Sequence, residues 1–319
     1  MMTVKATAIQ WRTFITGMLM GAADLVPGIS GGTVALLSGI YGRLLGAIGH
    51  FDLHLLKLVT TRHIAKAWHY VDGLFLVHLG LGIVSALLLL SKLISWLLLE
   101  QPLMMWSLFL GLIMAASFLL LQELYSQNKL RKSWLLLGLV VSVALASVPL
   151  LQPVDGFSGW GYLWLMAAGA LAISAMILPG VSGSFILLML GIYPFLIARL
   201  AALDMQVIAI FALGCGFGLM AFSRFISYML KRHTAAVMSV LSGLMMGSAV
   251  KLWPWKHTIS YRLNSAGLEV PLQQENLMPW VYSQMTGANN QLVWCILVFC
   301  VAGLLVAKFG RIKLQDLAA

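Results

Sequence analysis

The chain has 319 residues, of which 61% are hydrophobic and only 9% are charged. Soluble domains carry about 25% charged residues, so this composition excludes an ordinary water-soluble protein and indicates a chain that spans a membrane. The net charge is +10, but the lysines and arginines lie between apolar runs instead of forming one polar face. This distribution argues against nucleic-acid binding, which is the usual explanation for a basic chain.

Two apolar stretches, 10–49 and 161–201, are interrupted near their middles by Pro-Gly. The two interruptions are related, because PGISGGTVALLSGIY begins at Pro27 and PGVSGSFILLMLGIY begins at Pro179, at a constant offset of 152 positions. Chance similarity between apolar segments would not preserve Pro, Gly, Ser and Tyr together. The sequence therefore predicts an internal repeat with a helix break in each copy.

The two copies divide the chain into a first repeat, 1–152, and a second repeat, 153–319. Each repeat is predicted to be a Pro-Gly-broken, re-entrant helical hairpin followed by three transmembrane helices, in an all-α integral membrane protein. The first repeat also contains an amphipathic segment on the membrane surface, 50–72, and the second contains a polar loop outside the membrane, 253–290. The predicted spans are 73–98, 102–121, 133–151, 206–229, 235–252 and 291–308.

The number of spans predicts how the repeats are oriented. A broken hairpin begins and ends on the same face of the membrane, so three further spans place the second copy on the opposite face. The repeats are therefore predicted to be inverted, as in many secondary transporters. With a cytoplasmic N-terminus, 13 of the 20 lysines and arginines fall in cytoplasmic segments, which fits the positive-inside rule and places both termini in the cytoplasm.

The sequence Pro-Gly-x-Ser-Gly predicts an anion site at each break. Proline ends one half-helix and glycine permits the turn, so the next half-helix begins with unpaired N–H groups and the positive end of its dipole. Phosphate is the usual ligand of such a glycine-rich helix start, although close helix packing is an alternative role for these small residues. The predicted phosphate-binding residues are Gly28, Ser30, Gly31, Gly32, Thr33, Gly180, Ser182, Gly183, Ser184 and Arg224.

Two charged residues in apolar surroundings are functional candidates. Asp24 lies three residues before Pro27, and Met176 has the same position in the second repeat. Asp24 is predicted to couple transport to a proton or a sodium ion, or to hold a basic partner; the alternative is a carboxylate that caps backbone N–H groups of the break. Arg224 is expected to pair with Asp24 or with an anionic headgroup. We expect neither a cofactor nor a metal site.

The segments GAADLVPGISGGTVALLSGIY and AISAMILPGVSGSFILLMLGIY resemble the paired signatures of a bacterial membrane family, the PopT-type polyprenyl-phosphate transporters, formerly domain of unknown function 368. The resemblance extends over nearly the whole chain. It implies a flippase that moves undecaprenyl phosphate from the outer to the cytoplasmic leaflet of the bacterial inner membrane. This step would recycle the lipid carrier for peptidoglycan and other cell-envelope synthesis.

Two other functions stay open at this stage. The same half-helix sites could serve a small-anion exporter or channel. Membrane lipid (pyro)phosphatases also combine inverted hairpins with a Pro-Gly-x-Ser turn, but their turn continues Ser-Arg-Ser and follows paired glutamates. Here Gly31 and Gly32 follow Ser30, and Asp24 is the single acid before the turn. Hydrolysis needs an arginine at the phosphate and a second acid or base, so we expect that the protein is not an enzyme.

Overall fold

A computed structural model describes residues 2–25, 30–148, 151–154, 156–263 and 269–310. Within these ranges the chain forms fourteen helices and two strands. The elements are α1 (Met2–Asp24), α2 (Gly31–Leu37), α3 (Tyr41–Gly49), α4 (Leu53–Thr60), α5 (Ile64–Tyr70), α6 (Gly73–Glu100), α7 (Pro102–Ser126), α8 (Lys132–Ser147), α9 (Gly161–Ile177), α10 (Gly183–Met189), α11 (Tyr193–Ala201), α12 (Met205–Leu252), β1 (Lys256–Leu263), β2 (Glu269–Asn276), α13 (Pro279–Thr286) and α14 (Leu292–Phe309).

Several helices have the length and composition of membrane spans. In the described part of the chain, α6, α7 and α12 each pass this test alone. Two bent pairs pass it together, α2 with α3 at an angle of 119° and α10 with α11 at 110°, which gives three to five candidate spans. The prediction of a helical membrane protein is therefore confirmed. The helices α8, α9 and α14 are also apolar but shorter.

The long helix α12 covers two of the predicted spans, 206–229 and 235–252. A continuous helix of 48 residues would be roughly 70 Å long, about twice the thickness of a hydrocarbon core. The backbone leaves helical geometry at His233, with φ −135° and ψ 44°. This break divides α12 into two lengths, and the lysine and arginine just before it are typical of a segment at the membrane surface.

The polar segment 253–290 is not an irregular loop. The strands β1 and β2 form an antiparallel hairpin in which Lys256 pairs with Asn276 and Tyr261 pairs with Pro271. The rest of the described chain is helical, so the predicted all-α fold class is confirmed apart from this hairpin. Pro271 lies within β2, and both strands of a two-stranded hairpin are edge strands, which tolerate a missing N–H donor.

The amphipathic segment 50–72 forms two short helices, α4 and α5. Asp52 begins α4 by accepting a hydrogen bond from the backbone N–H of Leu55 at 2.9 Å. Apolar side chains on both helices are exposed, including Leu53, Ile64 and Trp68. An apolar face that is not covered by protein fits the predicted position at the membrane surface.

The half-helices of the two repeats correspond closely. The helices α10 and α11 begin and end 152 positions after α2 and α3, the same offset as the repeated sequence. The helix crossings correspond as well, because α1 packs on α6 and α9 packs on α12. A Cβ atom at Gly82 would lie 2.1 Å from the carbonyl oxygen of Phe14, and one at Gly214 would lie 2.0 Å from that of Met166. Both crossings therefore need a residue without a side chain.

The last helices of each repeat also pack against helices of the other repeat. The first repeat contributes α7, which packs on α14 of the second repeat, and the second half of α12 packs on α8 of the first repeat. Glycines again lie at the crossings: a Cβ at Gly111 would approach the carbonyl oxygen of Phe299 to 2.5 Å, and one at Gly243 would approach that of Leu135 to 2.2 Å. This reciprocal packing joins the repeats into one body with the two breaks between them.

The crossing glycines provide a test of this packing. Gly82→Ala and Gly214→Ala are expected to lower the stability of the protein in detergent by about 1–3 kcal/mol, because the methyl group would force two backbones apart. Gly80→Ala and Gly216→Ala are matched controls on the same helices, where a Cβ would meet nothing within 4 Å. The controls should unfold at or above the wild-type temperature, since alanine favours helix. Equal thermal midpoints for the crossing and control variants would contradict these crossings.

Candidate functional site

The first break is closed by groups of the protein itself. Ser30 is the N-cap of α2, where its hydroxyl accepts a hydrogen bond from Gly32 N at 3.1 Å and donates one to the carbonyl oxygen of Met176 at 2.5 Å. Gly31 N donates to a carboxylate oxygen of Asp24 at 2.7 Å. The start of α2 thus already has the carboxyl group of Asp24 as an acceptor, which is the capping contact that was the alternative to ion coupling.

The two breaks are in direct contact. The backbone N–H of Gly180 donates to the hydroxyl of Thr33 at 3.2 Å, and the hydroxyl of Tyr41 donates to the carbonyl oxygen of Ile177 at 3.2 Å. A Cβ at Gly32 would lie 2.5 Å from that same carbonyl oxygen. Side chains of the first repeat therefore supply partners for backbone groups that the second break leaves open.

The second break turns where glycine is required and then begins α10. Gly180 has φ +85°, in the region that favours glycine, and lies after the buried Pro179. Ser182 is the N-cap of α10, and its hydroxyl lies 2.9 Å from the hydroxyl of Ser184. Gly183 packs against α9, since a Cβ there would lie 2.4 Å from the carbonyl oxygen of Ala172.

A partly enclosed cavity of about 660 Å³ lies at the second break. Its walls come from α8, α10, the end of α12 and the β1–β2 hairpin. The volume lies within the range of small-molecule sites, about 300–1,000 Å³. Apolar and polar groups share the lining, so the cavity suits an amphiphilic ligand. The lining residues are Trp106, Ser142, Leu145, Ala146, Ser147, Val148, Gly180, Val181, Ser182, Ser184, Phe185, Leu188, Ser248, Val250, Lys251, Lys256, Gln274, Glu275 and Asn276.

Two lysines line the cavity near the hairpin. The ammonium of Lys251 lies 4.3 Å from the ring centre of Phe185, and that of Lys256 lies 3.7 Å from the ring centre of Trp106. Lys256 also donates to the backbone carbonyl of Lys251 at 2.7 Å. Burial, and then the charge of Lys251, lower the pKa of Lys256 to about 7. No sequence motif marks these two lysines as site residues, because only the folded hairpin places them at the cavity.

Arg224 lies away from both the cavity and Asp24. Its guanidinium donates to the carbonyl oxygens of Gly49 at 2.9 Å and Phe51 at 2.6 Å. These carbonyls lie at the C-terminal end of α3, where a positive charge is favourable. In this structure Arg224 therefore ties α12 to the first broken hairpin instead of pairing with Asp24.

The predicted site residues thus fall into separate places. Three line the cavity, four form the buried junction behind it, Gly183 packs on α9, and Arg224 lies at the end of α3. Pro27 and Gly28 lie outside the described residues. The cavity residues are Gly180, Ser182 and Ser184, and the junction residues are Ser30, Gly31, Gly32 and Thr33.

The contact between the breaks can be tested at Thr33, whose side chain is buried. Thr33→Val removes the acceptor for Gly180 N without changing the shape much, and is expected to cost about 1–3 kcal/mol of stability. Thr33→Ser keeps the hydroxyl and loses only one methyl group. Its free energy of unfolding should therefore stay within about 1 kcal/mol of the wild-type value. Thermal unfolding in detergent measures both variants, and a valine variant as stable as the serine variant would contradict the contact.

Known proteins resemble this chain along most of its length. A family model described as VCA0040-like, undecaprenyl phosphate translocase-like, matches residues 20–270. A polyprenyl-phosphate transporter of Vibrio cholerae is 39% identical over 296 residues, which are 92% of this chain and 94% of that protein. A polyprenyl-phosphate transporter of Staphylococcus aureus is 30% identical over 261 residues, 77% of this chain and 87% of that protein. No solved structure matches the chain. The chain belongs to the VCA0040-like family of undecaprenyl phosphate translocase-like proteins.

Proposed function

We propose that the protein is a flippase that moves undecaprenyl phosphate from the outer to the cytoplasmic leaflet of the bacterial inner membrane. This transport would return the carrier lipid for peptidoglycan and other cell-envelope synthesis. The observation that carries the proposal is the amphiphilic cavity at the second break, which is lined by the hydroxyls of Ser182 and Ser184. The names of the relatives, polyprenyl-phosphate transporters, support the same substrate class.

The cavity suits the two parts of a polyprenyl phosphate. Hydroxyls at the start of α10 can donate to phosphate oxygens, while Leu145 and Leu188 provide an apolar wall for the first part of the tail. Moving a bare phosphate through hydrocarbon is prohibitive, because a desolvated charge costs tens of kcal/mol by Born solvation. A path with fixed donors would lower that barrier, and the rest of the tail would stay in the lipid.

The proposed direction of transport is the one that the family resemblance implies, and the charges give the orientation of the protein in the membrane. In the predicted orientation, the β1–β2 hairpin and the cavity face the outer side, and the termini face the cytoplasm. Inverted repeats would then allow the two re-entrant breaks to open alternately. The outer leaflet would deliver the headgroup to Ser182 and Ser184. The first break, with Ser30 to Thr33, would receive it next, and Arg224 would lie on the side of release.

Asp24 is proposed to couple this transfer to a proton or a sodium ion. Its carboxylate accepts from Gly31 N, which belongs to the proposed receiving site. A phosphate and an ionised carboxylate would repel each other there, so neutralising Asp24 with a proton or sodium ion would favour phosphate binding. The same contact gives Asp24 a role in folding, and the two roles can be separated experimentally.

A small-anion exporter is the rival function, since hydroxyls and lysines also bind free anions. The apolar wall of the cavity favours a lipid. The relatives are named as transporters, so we propose no catalytic activity. Release of phosphate from a polyprenyl pyrophosphate by the purified protein would contradict that part of the proposal.

Reconstitution tests the proposed function. Proteoliposomes should move a fluorescent short-chain polyprenyl phosphate between leaflets, measured as protection from a quencher, whereas protein-free liposomes should not. The double variant Ser182→Ala/Ser184→Ala should transfer the lipid about tenfold more slowly or worse, because two hydrogen-bond donors to the phosphate are lost. Ser126→Ala, at the end of α7, is the control. Equal rates with and without wild-type protein would reject the flippase.

The role of Asp24 is tested by Asp24→Asn. The amide keeps an acceptor for Gly31 N but cannot carry a negative charge. Coupling predicts wild-type thermal stability together with loss of the response of transport to an imposed proton or sodium gradient. If the variant retains that response, Asp24 serves as a cap only.

A further inference from the structure

We propose that Lys251 and Lys256 make the cavity selective for a phosphate monoester over a phosphodiester. The inference rests on the proposed function, because it concerns the headgroup bound in the same cavity. A flippase of this kind works in a bilayer built largely of phosphodiester lipids, so it has to reject the far more abundant headgroups.

The two ammonium groups are held in place by their surroundings. Each stands over an aromatic ring, Phe185 for Lys251 and Trp106 for Lys256, at distances typical of cation–π contacts. The hydrogen bond from Lys256 to the carbonyl of Lys251 fixes the two lysines relative to each other. It uses one of the three donors of the Lys256 ammonium.

The cavity contains more positive than negative charge. Among the residues that the structure describes, the ion pairs are Arg43 with Asp72 and Arg199 with Asp204, and neither includes a cavity lysine. Glu275 also lines the cavity and reduces the net charge to +1 when both lysines are protonated. Burial and the neighbouring charge of Lys251 lower the pKa of Lys256 to about 7. A bound dianion would supply a counter-charge and favour the protonated lysine.

Charge distinguishes the two ligand classes. A phosphate monoester carries −1.5 to −2 charges near neutral pH, roughly as a phosphorylated side chain does, whereas a phosphodiester carries about −1 with fewer free oxygens. Two fixed ammonium groups therefore gain more from the monoester, which can accept a charge-assisted hydrogen bond from each. Lys256 and Asn276 pair across the hairpin at the polar end of the cavity, so the two strands hold Lys256 in place there.

Equilibrium binding to the full chain in non-ionic detergent at neutral pH tests the inference. The probes are dihexanoyl phosphatidic acid, a monoester; dihexanoyl phosphatidylglycerol, a diester with the same tails; and inorganic phosphate. The wild-type protein should prefer the monoester lipid to the diester lipid by about tenfold or more, the effect expected from one additional charge-assisted hydrogen bond. Lys251→Met and Lys256→Met should each remove most of this preference with little change in diester binding. Lys92→Met, on α6, removes the same charge elsewhere and should leave the preference unchanged.

Lys251→Met alone decides the test if Lys256→Met is not obtained as folded, monodisperse protein. A monoester preference that survives in the Lys251 variant would overturn the inference, even if wild-type liposomes transport polyprenyl phosphate. Equal affinity for inorganic phosphate and phosphatidic acid, lost in the lysine variants, would support the lysine site but contradict a lipid substrate. Failure of the lysine site and failure of the flippase are thus distinguishable.

Discussion

The structure depends on the fact that hydrocarbon cannot hydrogen-bond the backbone of a broken helix. Each repeat breaks a helix in an apolar part of the chain; the first break is closed by its own Asp24 and Ser30, and the second break is completed by side chains of the first repeat. Thr33 of the first repeat accepts from Gly180 of the second, and Ser30 donates to the carbonyl of Met176. The two breaks therefore have to lie side by side, and the glycine crossings of the helices hold them there.

The same motif has different surroundings in the two repeats. At the first break a carboxylate from Asp24 already meets the start of α2, and Ser30 is buried. At the second break the equivalent of Asp24 is Met176, and Ser182 and Ser184 line a cavity. In this structure the second break is therefore the one that faces a cavity, while the start of α2 is occupied by groups of the protein.

Much of this arrangement could be predicted from the sequence. The offset of 152 positions locates both half-helix pairs, since proline and glycine determine local backbone conformation wherever the chain places them. The contact between the breaks follows from the need to satisfy buried backbone groups. The role of Arg224 was harder to predict, because an arginine can cap a helix end as well as bind an anion.

The polar end of the cavity could not be predicted. Lys251 and Lys256 flank two tryptophans at the start of the segment predicted to be a polar loop. Only the pairing of β1 with β2 carries this segment over the second break. Such a contact depends on tertiary structure, and neither local spacing nor hydrophobic periodicity records it.

The most direct measurement is an experimental structure of the protein with bound polyprenyl phosphate. The phosphate is predicted to lie in the cavity, within hydrogen-bonding distance of Ser182 or Ser184, with the tail leaving past Leu188 into the bilayer. A phosphate bound on the outer surface of the helices, with only the tail or nothing in the cavity, would contradict a headgroup path through the two breaks.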